Sequence, residues 1–307
     1  MKYVILIFSF FFSFLLLELF TRIIIDDGMN YEIEMQKYAT KLKKISKNNL
    51  IGIEHKKNKS AVLMGAEVAL NSYGFRSDTD FNRNEKKILM LGDSMTFGWG
   101  ARKPFSNVLN YKFTKYEVIN AGIGNTNTLM QIENFFQNFK DLYPYEMIVL
   151  NFYINDFENI KISHANLIQK YSYLYTFIFN KINYLLIKYK VTDDWKKFYS
   201  KQFNDDEIKL NTFAKILKLK KYCEDNNIKF LIHNIPELRN LKKYSFQNET
   251  NLLENFASKN NIEFINSIDI LKKFDESSLW VTKHDSHAND RAHDLIADFF
   301  IKKFPEY

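Results

Sequence analysis

The chain has 307 residues, 46% hydrophobic and 26% charged, which suits one large globular domain with or without appendages and excludes a small disulfide-dependent scaffold. The single cysteine, Cys223, cannot form an internal bridge and reads as a bystander in a helical stretch. The net charge of +7 reads as a composition rich in Lys, Asn, Ile and Phe rather than as attraction to an anionic surface, and no nucleic-acid motif accompanies it.

"MKYVILIFSFFFSFLLLELFTRIII" opens the chain with Lys2 and no further charge until Glu18 and Arg22. About 20 apolar residues span a bilayer, and charges near the ends can snorkel. Without a small-residue cleavage site, residues 1–28 read as an uncleaved transmembrane anchor rather than a signal peptide. Lys2 places the N-terminus inside and the remainder outside the cytoplasm. The Lys-rich segment from Lys37 to Lys59 argues the other way, but long domains translocate largely regardless of charge. Residues 29–80 read as a polar connector ending in "NSYGFRSD" (71–78), with a turn at Gly74.

The globular domain is expected over residues 81–307, and from residue 86 short β-type runs alternate with segments of helical period. The strands are "KILML" (87–91), "YEVIN" (116–120), "EMIVLNFY" (146–153), "IKFLIHN" (228–234) and "IEFIN" (262–266). Helices are expected near 104–111 and 126–139, and over "DEIKLNTFAKILKLKKYCEDN", "ETNLLENFASKN" and "DRAHDLIADFFIKKF". This alternation predicts an α/β fold with a parallel sheet covered on both faces and a ligand crevice beyond the carboxyl ends of the strands. An aromatic-rich insertion at about 163–200 interrupts the rhythm. It could be a lid or a helix lying on the membrane, but the preferred reading is a helical pair covering the core.

Four short blocks sit at these boundaries. Gly92-Asp93-Ser94 follows the first strand, and "NAGIGNTNT", with Gly122 and Gly124, follows the second. Asn155 and Asp156 follow the third, and "KHDSHANDRAH", with Asp285 and His287, precedes the last helix. Each alone is weak; together and in this order they resemble the SGNH hydrolases of the GDSL esterase/lipase superfamily, over residues 86–303.

The resemblance implies a flavodoxin-like three-layer α/β/α sandwich. It implies Ser94 as nucleophile, His287 as base and Asp285 as its orienting partner. Gly124 and Asn155 would complete an oxyanion hole with the backbone N–H of Ser94, with Gly122 the other glycine candidate. "NSYGFRSD" and the anchor also resemble membrane-anchored members of bacterial cell envelopes. The chain departs from the usual pattern in two places. Its acid and histidine are spaced D-x-H rather than D-x-x-H, with His284 at the position three before His287. Ile154 stands where a glycine usually precedes the third-block Asn.

The chemistry fits these residue types. A serine hydroxyl needs an adjacent base, which His supplies because its pKa lies near neutrality. A carboxylate fixes the imidazole tautomer, and fixed N–H donors stabilise the oxyanion of the tetrahedral intermediate. A regular strand would point Asp285 and His287 to one face, and a helix would not. Asp93 and Asp156 read as braces of their turns, His293 as structural, and His284 as either lining the site or solvated. His55, His164 and His233 show no ligand spacing, so neither metal nor cofactor is expected.

The expected activity is ester hydrolysis, of the deacylase or acetylesterase kind, on an O-acylated envelope carbohydrate or lipid. The alternatives are an O-acyltransferase using the same residues and a non-catalytic envelope assembly factor.

Overall fold

The computed structural model describes residues 1–162 and 165–307. His164, weighed above as a ligand, lies outside the described residues.

Helix α1 (Lys2–Phe20) continues through a wider turn, Thr21–Ile25. Together they form one helix of 24 residues with mean hydropathy 2.4, long and apolar enough to cross a membrane. None of the α1 side chains is buried.

Residues 29–80 are more than a connector. They form α2 (Tyr31–Lys41), a hairpin of β1 (Lys43–Ile45) and β2 (Ile53–His55), and a second hairpin of β3 (Lys59–Leu63) and β4 (Ala66–Leu70). The sequence hides this layer because its strands are short and its apolar positions sparse. Ile33, Tyr38, Leu42, Leu63 and Val68 are nevertheless buried, and a second core joins several of them to Phe97 and Trp99 of the next segment. Gly74 takes φ +86°, the left-handed turn conformation that glycine adopts without strain.

The sandwich follows. Its elements are β5 (Lys87–Leu91), α3 (Ser94–Phe97), α4 (Phe105–Lys112), β6 (Glu117–Asn120), α5 (Thr128–Asn134), β7 (Tyr145–Phe152), α6 (Leu167–Tyr171), α7 (Tyr173–Lys188), α8 (Trp195–Phe203) and α9 (Asp206–Asp225). Then come β8 (Lys229–Asn234), α10 (Gln247–Lys259), β9 (Glu263–Asn266), α11 (Ile268–Leu271), β10 (Trp280–Thr282), β11 (Asp285–Ala288) and α12 (Asp290–Lys303).

Five strands form one parallel sheet in the order β6-β5-β7-β8-β9. Numbered within the sheet this is 2-1-3-4-5, the flavodoxin-like order, whose switch point lies at the end of β5. Every residue of β5 is buried, as expected of a strand covered on both faces. Helices α4 and α12 pack together on one face. On the other, α5, α9 and α10 join through Phe135, the residue after α5, against Tyr222 and through the stacked rings of Phe213 and Phe256.

The insertion departs from the preferred reading of a helical pair over the core. Helix α8 does reach the core through Phe203. Helix α7 lies outside it, with Leu174 its one buried residue, against α2 and the end of the apolar N-terminal helix.

Candidate functional site

Strand β5 ends at Leu91, and the chain turns through Gly92 into α3, which starts at Ser94. Asp93 caps this short helix: its Oδ1 accepts the Met95 N–H at 2.8 Å and its Oδ2 the Ser94 hydroxyl at 3.2 Å. Burial pushes the Asp93 carboxyl above the usual carboxylate range, against the opposing pull of the Met95 N–H and His287. The Ser94 backbone N–H, at the first position of α3, has no hydrogen-bond partner among the described residues.

Strand β6 delivers the glycine loop. Gly122 packs directly on the Ser94 turn, where a Cβ would stand 2.3 Å from the Phe97 nitrogen. This close approach demands glycine, and the Gly122 N–H is already held by Asn120 Oδ1 at 3.0 Å. Gly124 lies beside the serine, where a Cβ would stand 3.5 Å from Ser94 Cβ and only 2.9 Å from the Tyr38 ring. Its N–H is engaged too, donating to the Tyr38 hydroxyl at 3.0 Å.

Strand β7 brings Asn155 to the cavity wall. Its amide lies against the Asp93 carboxylate, and its Oδ1 is buried with no partner among the described residues. Asp156 turns away and braces the loop, accepting the Tyr153 N–H at 2.8 Å and the Gln131 amide at 2.6 Å.

The D-x-H spacing falls on β11, paired antiparallel with β10. Side chains two apart on a strand share a face. His287 Nδ1 accordingly meets Asp285 Oδ1 at 2.6 Å, while Nε2 stands 3.0 Å from Ser94 Oγ. A carboxylate only accepts, so Nδ1 carries the proton and Nε2 is free to take one from the serine. The second Asp285 oxygen accepts the Trp99 indole N–H at 2.9 Å.

Burial alone would lower the His287 pKa. The Asp285 charge and hydrogen bond, with Asp93, outweigh it and set it above the ordinary value. For Asp285 burial acts upward, and His287 and the Trp99 N–H bring the carboxyl below its ordinary range. The structure thus brings Ser94, His287 and Asp285 into one hydrogen-bonded chain, beside Gly124 and Asn155. His284 is exposed at the rim of the cavity, and Asp285 occupies the place beside the imidazole.

The remaining histidines are packed in. His55 donates Nδ1–H to the Gly74 carbonyl and accepts the Tyr38 hydroxyl at Nε2. His233 bonds Asn151 and Ser267, and His293 accepts the Phe105 N–H. Burial lowers each of these three to about 3, so they are neutral. No metal-ligating cluster is present among the described residues.

Several further residues build the site without a motif that assigns them a role there. Arg76, from "NSYGFRSD", is buried and donates to the carbonyls of Phe97 (2.6 Å), Gly98 (2.5 Å) and Ala101 (2.6 Å), fastening the turn behind Ser94. Tyr31 stacks on the His287 ring at 5.9 Å. Trp195, Tyr199 and Arg239 wall a cavity of about 270 Å³ over Ser94, with the Arg239 guanidinium 3.8 Å above the Trp195 ring. The charged or aromatic character of these residues was visible, but their place depends on chain segments far apart in sequence.

No family model matches the chain, and no curated protein matches it. Similar solved structures include a candidate acylhydrolase from Bacteroides fragilis, 17% identical over 74% of this chain and 90% of that one, with a TM-score of 0.44. A candidate lipolytic protein of the G-D-S-L family from Desulfitobacterium hafniense is 14% identical over 71% and 99%, with a TM-score of 0.44. A catalytic mutant of an acetylxylan esterase from Geobacillus stearothermophilus is 13% identical over 72% and 94%, with a TM-score of 0.46.

Proposed function

We propose that the protein is a membrane-anchored serine ester hydrolase that removes a short acyl group from an O-acylated carbohydrate or lipid of the cell envelope. The observation that carries this reading is the chain Ser94 Oγ–His287 Nε2 at 3.0 Å and His287 Nδ1–Asp285 Oδ1 at 2.6 Å. It opens into a cavity and sits at the switch point of the sheet, where such folds bind ligands. The motif order that resembles SGNH hydrolases agrees with it.

In this mechanism Ser94 Oγ attacks the ester carbonyl while His287 Nε2 takes its proton. The negative charge that develops on the carbonyl oxygen is met by the Ser94 N–H and the Asn155 amide. The Gly124 N–H becomes a third donor once it exchanges Tyr38 for the oxyanion. The tetrahedral intermediate collapses, the alcohol leaves with the proton from His287, and Ser94 holds the acyl group. Water then attacks the acyl-enzyme, gives its proton to His287, and releases the acid as Ser94 regains its own.

A cavity of about 270 Å³ is small beside common ligand pockets, which supports a short acyl group. The aromatic walls at Tyr31, Trp195 and Tyr199 suit a sugar face or a lipid head. The apolar N-terminal helix supports membrane anchoring, and Lys2 supports a catalytic domain outside the cytoplasm. Tyr31, on the cavity wall, follows Ile25 by six residues. An extended chain spans ~3.3–3.6 Å per residue, so this wall lies within about 20 Å of the end of that helix. The substrate is then one held near the membrane.

The test is intact-mass spectrometry of the full chain in detergent after a fluorophosphonate probe, with hydrolysis of a short-chain nitrophenyl ester followed in parallel. One adduct on the wild type, absent from Ser94→Ala, with ester turnover and no added acceptor, is expected. Turnover that appears only with a glycan acceptor would replace the hydrolase with an acyltransferase, and a folded wild type with neither adduct nor turnover would refute both.

A further inference from the structure

Helix α7 is mostly apolar yet leaves its side chains in the open. Ile178, Phe179, Ile182, Tyr184, Leu185 and Ile187 are all exposed, Tyr184 at 61%. Ile178, Ile182 and Leu185, four and three residues apart, share one face, and an exposed apolar stripe of this kind marks a surface that something covers. Two observations say what covers it.

The first is where the helix is fastened. Glu18 and Arg22 interrupt the apolar run of the N-terminal helix, an expensive choice for a bilayer span unless the charges are paired. They pair with each other at 2.7 Å, and both grip the start of α7. Glu18 accepts the Tyr173 and Leu174 N–H groups at 3.0 Å each and the Ser172 hydroxyl at 2.8 Å. Those N–H groups open α7 and have no partner within the helix, so the carboxylate caps it. Arg22 donates to the Tyr171 carbonyl and lies 4.0 Å over the Tyr173 ring. Gln36 of α2 adds bonds to the carbonyls of Gln169 (2.9 Å) and Ser172 (3.1 Å). The exposed helix is therefore fastened by its first turn to the end of the membrane-crossing helix.

The second is charge. From Ala165 to Thr192 the sequence contains Lys170, Lys181, Lys188 and Lys190 and no acidic residue. Basic side chains beside exposed Phe, Tyr, Ile and Leu are the composition of a helix that lies in a bilayer interface, with lysines toward anionic headgroups.

We propose that α7 lies in the headgroup region of the membrane crossed by the N-terminal helix, as a second point of contact that fixes how the cavity faces the bilayer. The proposal rests on α1 as the span and is independent of the chemistry at Ser94. Glu18 and Arg22 then act as the joint between the span and its interfacial helix. Trp195 opens α8, seven residues beyond the end of α7, so the cavity wall and the interfacial helix are neighbours in the chain.

The test uses the full chain in vesicles of phosphatidylethanolamine and anionic phosphatidylglycerol. Single cysteines at Leu15, Tyr111, Ile182 or Leu185 carry an environment-sensitive fluorophore, and some lipids carry a nitroxide quencher. All four positions are exposed, so the labelled chains should melt with the wild type. Cys223 is buried, with its thiol pushed up to about 12, and stays unlabelled in the folded protein. A nitroxide near the headgroups is expected to quench the probes at 182 and 185 several-fold more than the probe at 111, which lies on α4, packed against α12 and β6. A nitroxide at mid-depth should quench the probe at 15.

Quenching at 15 with none above the level of 111 at 182 and 185 would overturn the proposal while leaving the span intact. Blue-shifted but unquenched probes at 182 and 185 would overturn it in favour of a protein, such as a second copy, on that face. No quenching at 15 would remove the span and the proposal with it, without touching the fluorophosphonate result.

Discussion

Two regions meet at Ser94 and hold it in different ways. The sheet-end turns supply the groups that face the serine: Asp93 beneath it, Gly124 and Asn155 beside it, His287 and Asp285 across from it. The layer formed by residues 31–76 supplies what stands behind these groups. Arg76 ties the carbonyls after α3, Tyr38 holds the Gly124 N–H, and Tyr31 covers the His287 ring. In the proposed reaction, chemistry is thus concentrated on the sandwich, and positioning on a layer built before the sandwich in the chain. Substitutions in the first region should cost rate with little stability, and substitutions in the second the reverse.

The sharpest break of this comparison is Ser94→Ala. Removing the nucleophile of such a constellation costs on the order of 10⁶ in kcat. The variant should keep the wild-type melting temperature, measured by circular dichroism, because a buried hydroxyl with alternative acceptors contributes little. A residual rate within tenfold of wild type would place the chemistry elsewhere.

Next comes Asp285→Asn, with an expected loss of about 10⁴ from the wrong tautomer of His287. This variant also has a pH signature. Protonated His287 cannot take the serine proton, so the acid limb of kcat/KM reports its pKa, which in the wild type lies above the ordinary value. Burial alone would lower it, and Asp285, with a smaller part from Asp93, raises it. The acid limb should therefore move to lower pH in Asp285→Asn even as the plateau falls. A limb that stays in place would mean that another group sets it.

The two regions also differ in how far the sequence reveals them. The parallel sheet is legible because five short apolar runs alternate with helical periods, a pattern that local composition sets by itself. Ser94, Asp285 and His287 stand out because small and ionisable residues collect at strand ends, while the roles proposed for them come from the SGNH-like order of the blocks. Residues 31–76 are not legible, because β1 and β2 have only three residues each and Lys43, Glu34 and Arg76 are polar side chains that end up buried. Only contacts across the chain decide that burial: Glu34 is placed by the Met64 N–H and Lys43 by the Gly124 carbonyl. The charges at Glu18 and Arg22 read as snorkelling ends for the same reason, since their partner α7 lies about 150 residues away in sequence.

Arg76→Met tests the positioning layer at intermediate magnitude. It leaves three carbonyls behind Ser94 without the guanidinium, each a buried acceptor worth about 1–3 kcal/mol when orphaned. Denaturant titration should show a loss of about 3 kcal/mol or more. The folded fraction should keep fluorophosphonate labelling at a reduced rate, because the turn loosens while its nucleophile remains. Unchanged stability would mean that α3 and its loop hold their shape without Arg76.

The smallest effect is expected at Tyr38, where the two regions touch through one hydroxyl. Its oxygen donates to His55 Nε2 at 2.6 Å and accepts the Gly124 N–H at 3.0 Å. Tyr38→Phe keeps the ring, which stacks on Phe97 at 5.0 Å, and deletes both bonds. The change orphans two buried groups, His55 Nε2 and the Gly124 N–H, at about 1–3 kcal/mol each, so the melting temperature should fall by several degrees. The Gly124 N–H, released from the tyrosine, is then left without its partner in a loop beside Ser94, where a developing oxyanion can take it. A donor made available in this way stabilises the transition state more than the ground state, so kcat should hold or rise while stability falls. Ester turnover and thermal melts of the same preparation decide the matter. A fall in kcat beyond the loss of folded protein would show that the Tyr38 hydroxyl aligns the glycine loop for reaction rather than holding one of its donors in reserve.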